Sequence, residues 1–243
     1  VLIALGFLLS SPVPQDPAYH DFADRRTILA VSNFWDVASN FPFLVVGSWG
    51  LAYIHRHGCL VCLPGLRPAF SVFFVGIFLT ALGSGYYHLS PANDSLIWDR
   101  LSMTIGFAGL LSIIIGEFIS AHAARRILVP LLVVGVASVC YWAFTETRGA
   151  GDLRPYAVVQ FLPMLLIPVI LLVYKPSIGS AKYYWLMMLF YVLAKLFEYF
   201  DVAIFTAGQL ISGHTLKHLF ASMVPATMLY ALKARHPNSA LKR

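Results

Sequence analysis

Seven stretches of about twenty apolar residues, each closed off by proline, glycine or charge, follow one another along the chain, at roughly 33–54, 69–89, 96–117, 127–145, 156–174, 183–205 and 214–232. In hydrocarbon every backbone N–H and C=O must find a partner within the protein, so runs of this length and composition fold as α-helices. The charge content agrees. Only 12% of the residues are Asp, Glu, Lys or Arg, against about a quarter in a soluble domain, and the mean hydropathy is +0.75. The pattern predicts an all-α integral membrane protein, a seven-transmembrane-helix bundle in a single domain. Residues 1–11 read as a partial first helix, 12–32 as an extracytoplasmic loop, 33–232 as the seven-helix core and 233–243 as a cytoplasmic tail. Proline at 42, 163, 168 and 225 is expected to kink helices and open space between them.

Lysine and arginine placement orients the bundle. Segments 55–68, 118–126, 175–182 and 233–243 would share one side, and they hold Arg56, Arg67, Arg125, Arg126, Lys175, Lys182, Lys233, Arg235, Lys242 and Arg243 with no Asp or Glu. The opposite segments mix Arg25, Arg26, Arg148 and Arg154 with acids. The positive-inside rule makes the first set, and the C-terminus, cytoplasmic. The net charge of +6 then reflects loop bias; no basic-aromatic patch suited to nucleic acid is present. Three cysteines, Cys59, Cys62 and Cys140, do not make a disulfide framework. Cys59 and Cys62, beside His55 and His57, read as an ordinary loop rather than a metal site.

Ionisable groups inside apolar spans are expensive and mark functional sites. His88 closes an outward-going span, Asp99 opens the returning one, and His214 and His218 open the last inward-going span. All four therefore fall at the extracytoplasmic end. His214 and His218 are four apart, as are Ser84 and His88, so each pair shares a helix face. Two imidazoles on one helix and a third from another leave an open coordination position on zinc, as a catalytic site needs. Asp99 would take a proton from water there, and Ser84 would hold the water or an oxyanion. The same residues also admit a haem or another metal, a proton relay, or no metal at all.

The segments GSGYYHLSPANDSLIWDRLSM and HTLKHLFASM resemble the alkaline ceramidase family, part of the CREST superfamily of seven-helix membrane hydrolases. The shared pattern is Ser-x3-His, a following Asp and a late His-x3-His, filled here by Ser84, His88, Asp99, His214 and His218. NFWDVASNFP is similar to that family's first-helix motif. The resemblance implies a zinc amidase that cleaves the N-acyl bond of a ceramide-like membrane lipid to fatty acid and sphingoid base. It also implies a calcium site in the N-terminal loop, with Asp21, Asp24 and Asn33 as oxygen ligands. Phe22, Arg26 and Asn33 depart from the family pattern, which leaves room for Arg25 and Arg26 to pair with Asp21 and Asp24 instead.

Other polar residues fit around this reading. Lys195 and Glu198 are expected to neutralise each other, with Asp201 supporting a zinc histidine or meeting a lipid headgroup. Arg100 is read as a headgroup contact or interfacial anchor, and Tyr19 and His20 as loop residues near the pocket. The rival functions are a lipid esterase or phospholipase of the GPI-remodelling type, an adipoQ-type receptor with structural zinc, and a transporter using Glu198 and Asp201.

Overall fold

A computed structural model describes residues 10–235, the side chain of Cys59 excepted. All but the last two residues of the expected partial helix at 1–11, and most of the tail, lie outside them. Among the described residues the fold is all-helical, with one isolated β-bridge between Ile28 and Val31. After a 3₁₀ turn at Pro17–His20 come α1 (Phe34–Ala38), α2 (Phe41–Val61), α3 (Arg67–Leu89), α4 (Asn93–Phe118), α5 (Ala121–Thr147), α6 (Arg154–Val173), α7 (Ala181–Tyr199), α8 (Asp201–Gly208) and α9 (Gly213–Lys233).

Five stretches are long and apolar enough to cross a membrane: Phe34–Gly58, which joins α1 to most of α2, and α3, α4, α5 and α6. Helix α7 carries Lys182, Lys195 and Glu198, and α9 carries His214, Lys217, His218 and Lys233, which lowers their apolar character. Of the five, α5 buries least, only 28% of its most apolar window, whereas α4 buries 72%. Helix α4 is therefore the central one. The uncovered face of α5, with Val129, Val133 and Val136 exposed, is chemically suited to lipid.

Two expected spans are divided. The stretch 33–54 breaks between α1 and α2, where the Ser39 hydroxyl and the Asn40 amide both donate to the Asp36 carbonyl, at 3.1 and 2.7 Å. Pro42 does not kink a helix; it sits in the first turn of α2, where its missing N–H costs nothing. The stretch 183–205 breaks at Phe200 into α7 and α8. Pro163 and Pro168 lie inside α6 and Pro225 inside α9.

Helices α3 and α4 pack through glycines. A Cβ at Gly76 would lie 2.6 Å from the Gly106 Cα, and one at Gly109 2.7 Å from the Phe73 Cα, both far inside contact distance. Small residues of this kind let two helix backbones approach closely. At the end of the bundle remote from the histidines, Glu117 receives both arms of Arg235, at 2.8 and 3.0 Å, and the Tyr184 hydroxyl at 2.6 Å. Asp99 and Glu117 are eighteen positions apart on α4, about 27 Å by helix rise, so these two polar clusters occupy opposite ends.

Candidate metal centre and adjoining cavity

His88 lies in the last turn of α3, and His214 and His218 in the first turns of α9. All three are buried. Their ring centroids form a near-equilateral triangle, 4.8, 4.9 and 4.8 Å apart, with steep interplanar angles of 72°, 62° and 87°. The two facing Nε2 atoms of His88 and His214 are 3.3 Å apart. One ligating nitrogen from each of the three rings falls within 4.8 Å of the other two, close enough to bind one metal ion. Two nitrogens held tetrahedrally at ~2.0–2.1 Å from zinc would be separated by roughly 3.3 Å, so the His88–His214 spacing fits such an ion.

Hydrogen bonds fix the chemistry of one imidazole. The Ser39 hydroxyl gives its proton to the Asp36 carbonyl, so its oxygen accepts from His218 Nδ1–H at 2.8 Å. That leaves the Nε2 lone pair of His218 for a ligand, the usual way a partner on one ring nitrogen sets the other. The Asp36 carboxylate, fully buried, accepts from the Thr215 hydroxyl at 2.7 Å and from the Ser212 hydroxyl at 3.3 Å. Ser212 in turn caps the N-terminus of α9 through the Thr215 N–H. A carboxylate beside that helix start is also favoured by its dipole. Asp36 thus ties α1 to the turn that carries His214 and His218.

Asp99 and Ser84 stand on the two sides of the glycine-packed seam. Both line a cavity of about 150 Å³, together with His218 and Lys217. From this polar end the cavity runs along α3 to Phe73 and along α4 to Leu110, eleven positions in each case and about 16 Å by helix rise. Its walls are apolar and include Met103, Met164, Met187 and Met188. Methionine is unbranched and polarisable, so such walls adapt to flexible apolar chains.

Several expected site residues have different roles. Arg100 is neither a headgroup contact nor an interfacial anchor. It is buried, donates to Gln15 at 2.6 Å and is boxed by the rings of Trp142 and Tyr156, 4.1 and 4.8 Å away. Asp201 meets no histidine ring; it accepts the His214 backbone N–H at 2.7 Å and the Ala23 N–H at 3.1 Å. Glu198 pairs with Lys195, as expected, and also with Lys217 at 2.7 Å. His20 is held between the Tyr87 hydroxyl and Asn93.

The calcium expectation does not fit this chain. Calcium takes six to eight oxygens. Asp21 is instead exposed and paired with Arg25 at 2.9 Å, and the buried Asp24 is gripped by Arg26. Burial works against the Asp24 carboxylate, but hydrogen bonds and charge from Arg26 outweigh it and hold the group below its usual range. Asn33 donates its side-chain amide to the His88 carbonyl at 2.8 Å. Among the described residues, the histidine trio is the group of three or more His, Cys, Asp or Glu that converges.

The sequence pattern did not single out Asp36, Ser39 or Lys217 as site residues, nor Phe22 as more than a departure from a motif. The Phe22 ring covers the trio, 4.6 Å from both the His88 and His214 rings. The Lys217 ammonium reaches His214 Nε2 at 3.3 Å. Lys217 had a signal, a charge within the apolar run of α9. Ser39 lay inside the NFWDVASNFP motif with no role attached to it, and Phe22 had no signal of its own, because only the fold brings them to the histidines. No protein-family model matches the chain, and neither does any curated protein sequence.

Proposed function

We propose that the chain is a zinc-dependent hydrolase of membrane lipids, acting on the N-acyl bond of a ceramide-like substrate. One observation carries the reading: three buried imidazoles converge, and one of them, His218, lines the polar end of a long apolar cavity together with the Asp99 carboxylate and the Ser84 hydroxyl. His88, His214 and His218 would hold the ion. A bound zinc ion supplies a Lewis acid that polarises a carbonyl and makes water acidic near neutral pH.

The chain's own residues supply the rest. Asp99 accepts a proton from the attacking water at its carboxylate oxygen and returns it to the departing amine nitrogen. Ser84, beside Asp99 in the cavity wall, donates its hydroxyl proton to the carbonyl oxygen as negative charge develops there. Ser39 keeps His218 in the tautomer whose Nε2 faces the trio. The methionine-lined cavity takes the acyl chain and excludes water from it. In this reading the long helices span the membrane seven times, the C-terminus is cytoplasmic, and the histidines lie near the extracytoplasmic face. The lipid enters sideways from the bilayer.

The test is fatty-acid release by purified protein from a panel of matched amide and ester lipids. The reading expects amide cleavage that falls by at least ~100-fold in Asp99→Asn with metal content unchanged. Preference for esters would move the protein to a lipase activity of the same site. No release from any lipid would defeat the hydrolase reading and favour a receptor or sensor.

A further inference from the structure

The segment Asp21–Arg26 is a strap across the histidine trio, with Phe22 lying over His88 and His214. The strap is attached to the chain that leads into α9. The Ala23 N–H is held by the Asp201 carboxylate, whose other oxygen holds the His214 N–H. The Arg26 carbonyl accepts the Phe34 N–H at 3.1 Å, and the Arg26 side chain makes a further attachment. Its guanidinium grips the buried Asp24 carboxylate with two donors, at 2.8 and 2.5 Å. It also donates to the backbone carbonyls of Leu210 at 2.8 Å and Gln209 at 3.3 Å. These carbonyls follow the C-terminus of α8, where Gln209 takes a left-handed conformation with φ 53°. The negative end of that helix dipole favours a cation, and the guanidinium also lies 5.3 Å from the Phe205 ring centroid.

A carboxylate and two main-chain carbonyls gathered by one positive group form the kind of oxygen set that a calcium ion collects. Here the guanidinium already fills it, in the forked geometry that suits arginine and not lysine. We infer that Arg26 is a built-in cation that clamps the strap over the histidine trio, so that the strap is held closed without calcium. Arg26 is a positioning residue: it touches no histidine and acts through Asp24 and the 209–210 carbonyls. Arg25 is its natural control, because its partners, the exposed Asp21 carboxylate and the Phe22 carbonyl, both lie within the strap and tie it to no distant element.

Amide hydrogen exchange across residues 21–34 tests this in full-length purified protein. Wild type should show the same protection in calcium-depleted buffer and in millimolar calcium. Arg26→Ala should raise exchange in the strap by on the order of tenfold, Arg26→Lys by less, and Arg25→Ala should match wild type. The lysine variant keeps the charge next to Asp24 and serves if the alanine variant does not fold. Loss of strap protection on calcium removal in wild type, or unchanged protection in both Arg26 variants, would overturn the inference. The readout does not depend on whether the trio holds zinc, so its failure is separate from failure of the hydrolase reading.

Discussion

Gly83 offers a way to move the carboxylate without touching the histidines. A Cβ placed there would lie 2.8 Å from the Trp98 carbonyl carbon and 3.2 Å from the Asp99 nitrogen, with ordinary contact beginning at 3.4 Å. The obstacle is backbone, so it cannot rotate away. In Gly83→Ala, α4 must retreat from α3 by roughly 0.6 Å or more, and overpacking of this kind costs about 1–3 kcal/mol. His88 is on α3 and its two partners are on α9, so the trio stays together while Asp99 withdraws. A displacement approaching 1 Å at a reacting group costs on the order of 100-fold in rate. The variant should therefore retain its metal, melt at a lower temperature and release fatty acid about 100-fold more slowly. Metal analysis, thermal unfolding in detergent and turnover on the preferred lipid measure the three effects. Turnover equal to wild type in a variant of lowered stability would refute the assignment of Asp99 as the proton-transfer group. Loss of metal together with activity would refute the claim that the seam separates the two functions.

Further expectations concern the supports of the site. Ser39→Ala removes the acceptor of His218 Nδ1–H and should weaken metal binding by about 10–100-fold, read by competition with a chelator, while the helical circular dichroism stays unchanged. Arg235→Ala leaves the Glu117 carboxylate buried without its charge partner and should cost about 3–5 kcal/mol in unfolding experiments. The double replacement Glu117→Leu with Arg235→Met should recover much of that loss. Leu29 and Ala30 both have positive φ, at 51° and 61°, in the two-residue turn closed by Ile28 and Val31. Asparagine and glycine suit such a turn, so Leu29→Asn with Ala30→Gly should stabilise the protein by about 1 kcal/mol, seen as a raised melting temperature.

The helical plan was legible because long unbroken apolar runs leave the backbone few ways to satisfy its own hydrogen bonds. Each apolar run of sufficient length became a helix, and the errors sit where local hydrogen bonding intervenes, at Ser39–Asn40 and at Phe200. The histidine trio was legible for a related reason: His88, His214 and His218 stand out against apolar neighbours, and the four-residue spacing on α9 puts two of them on one face. Residues whose roles depend on convergence were not legible. Arg100 reads as interfacial because it adjoins Asp99 near the start of a span, yet Gln15, Trp142 and Tyr156 come from three other parts of the chain to enclose it. Asp201 resembles a histidine partner in sequence, but it serves two backbone amides. The loop carboxylates suited calcium until the geometry placed Arg26 on Asp24. The glycines of α3 and α4 are ordinary in an apolar sequence, and only the packed seam shows which ones let the two backbones meet beside Ser84 and Asp99.

The most direct test of the account is the metal content of the purified full-length protein, wild type beside His88→Ala, His214→Ala and His218→Ala. Convergence of the three imidazoles on one ion predicts one equivalent of zinc in wild type and its loss in each variant that still folds. Wild type devoid of bound metal, or variants that keep a full equivalent, would contradict it.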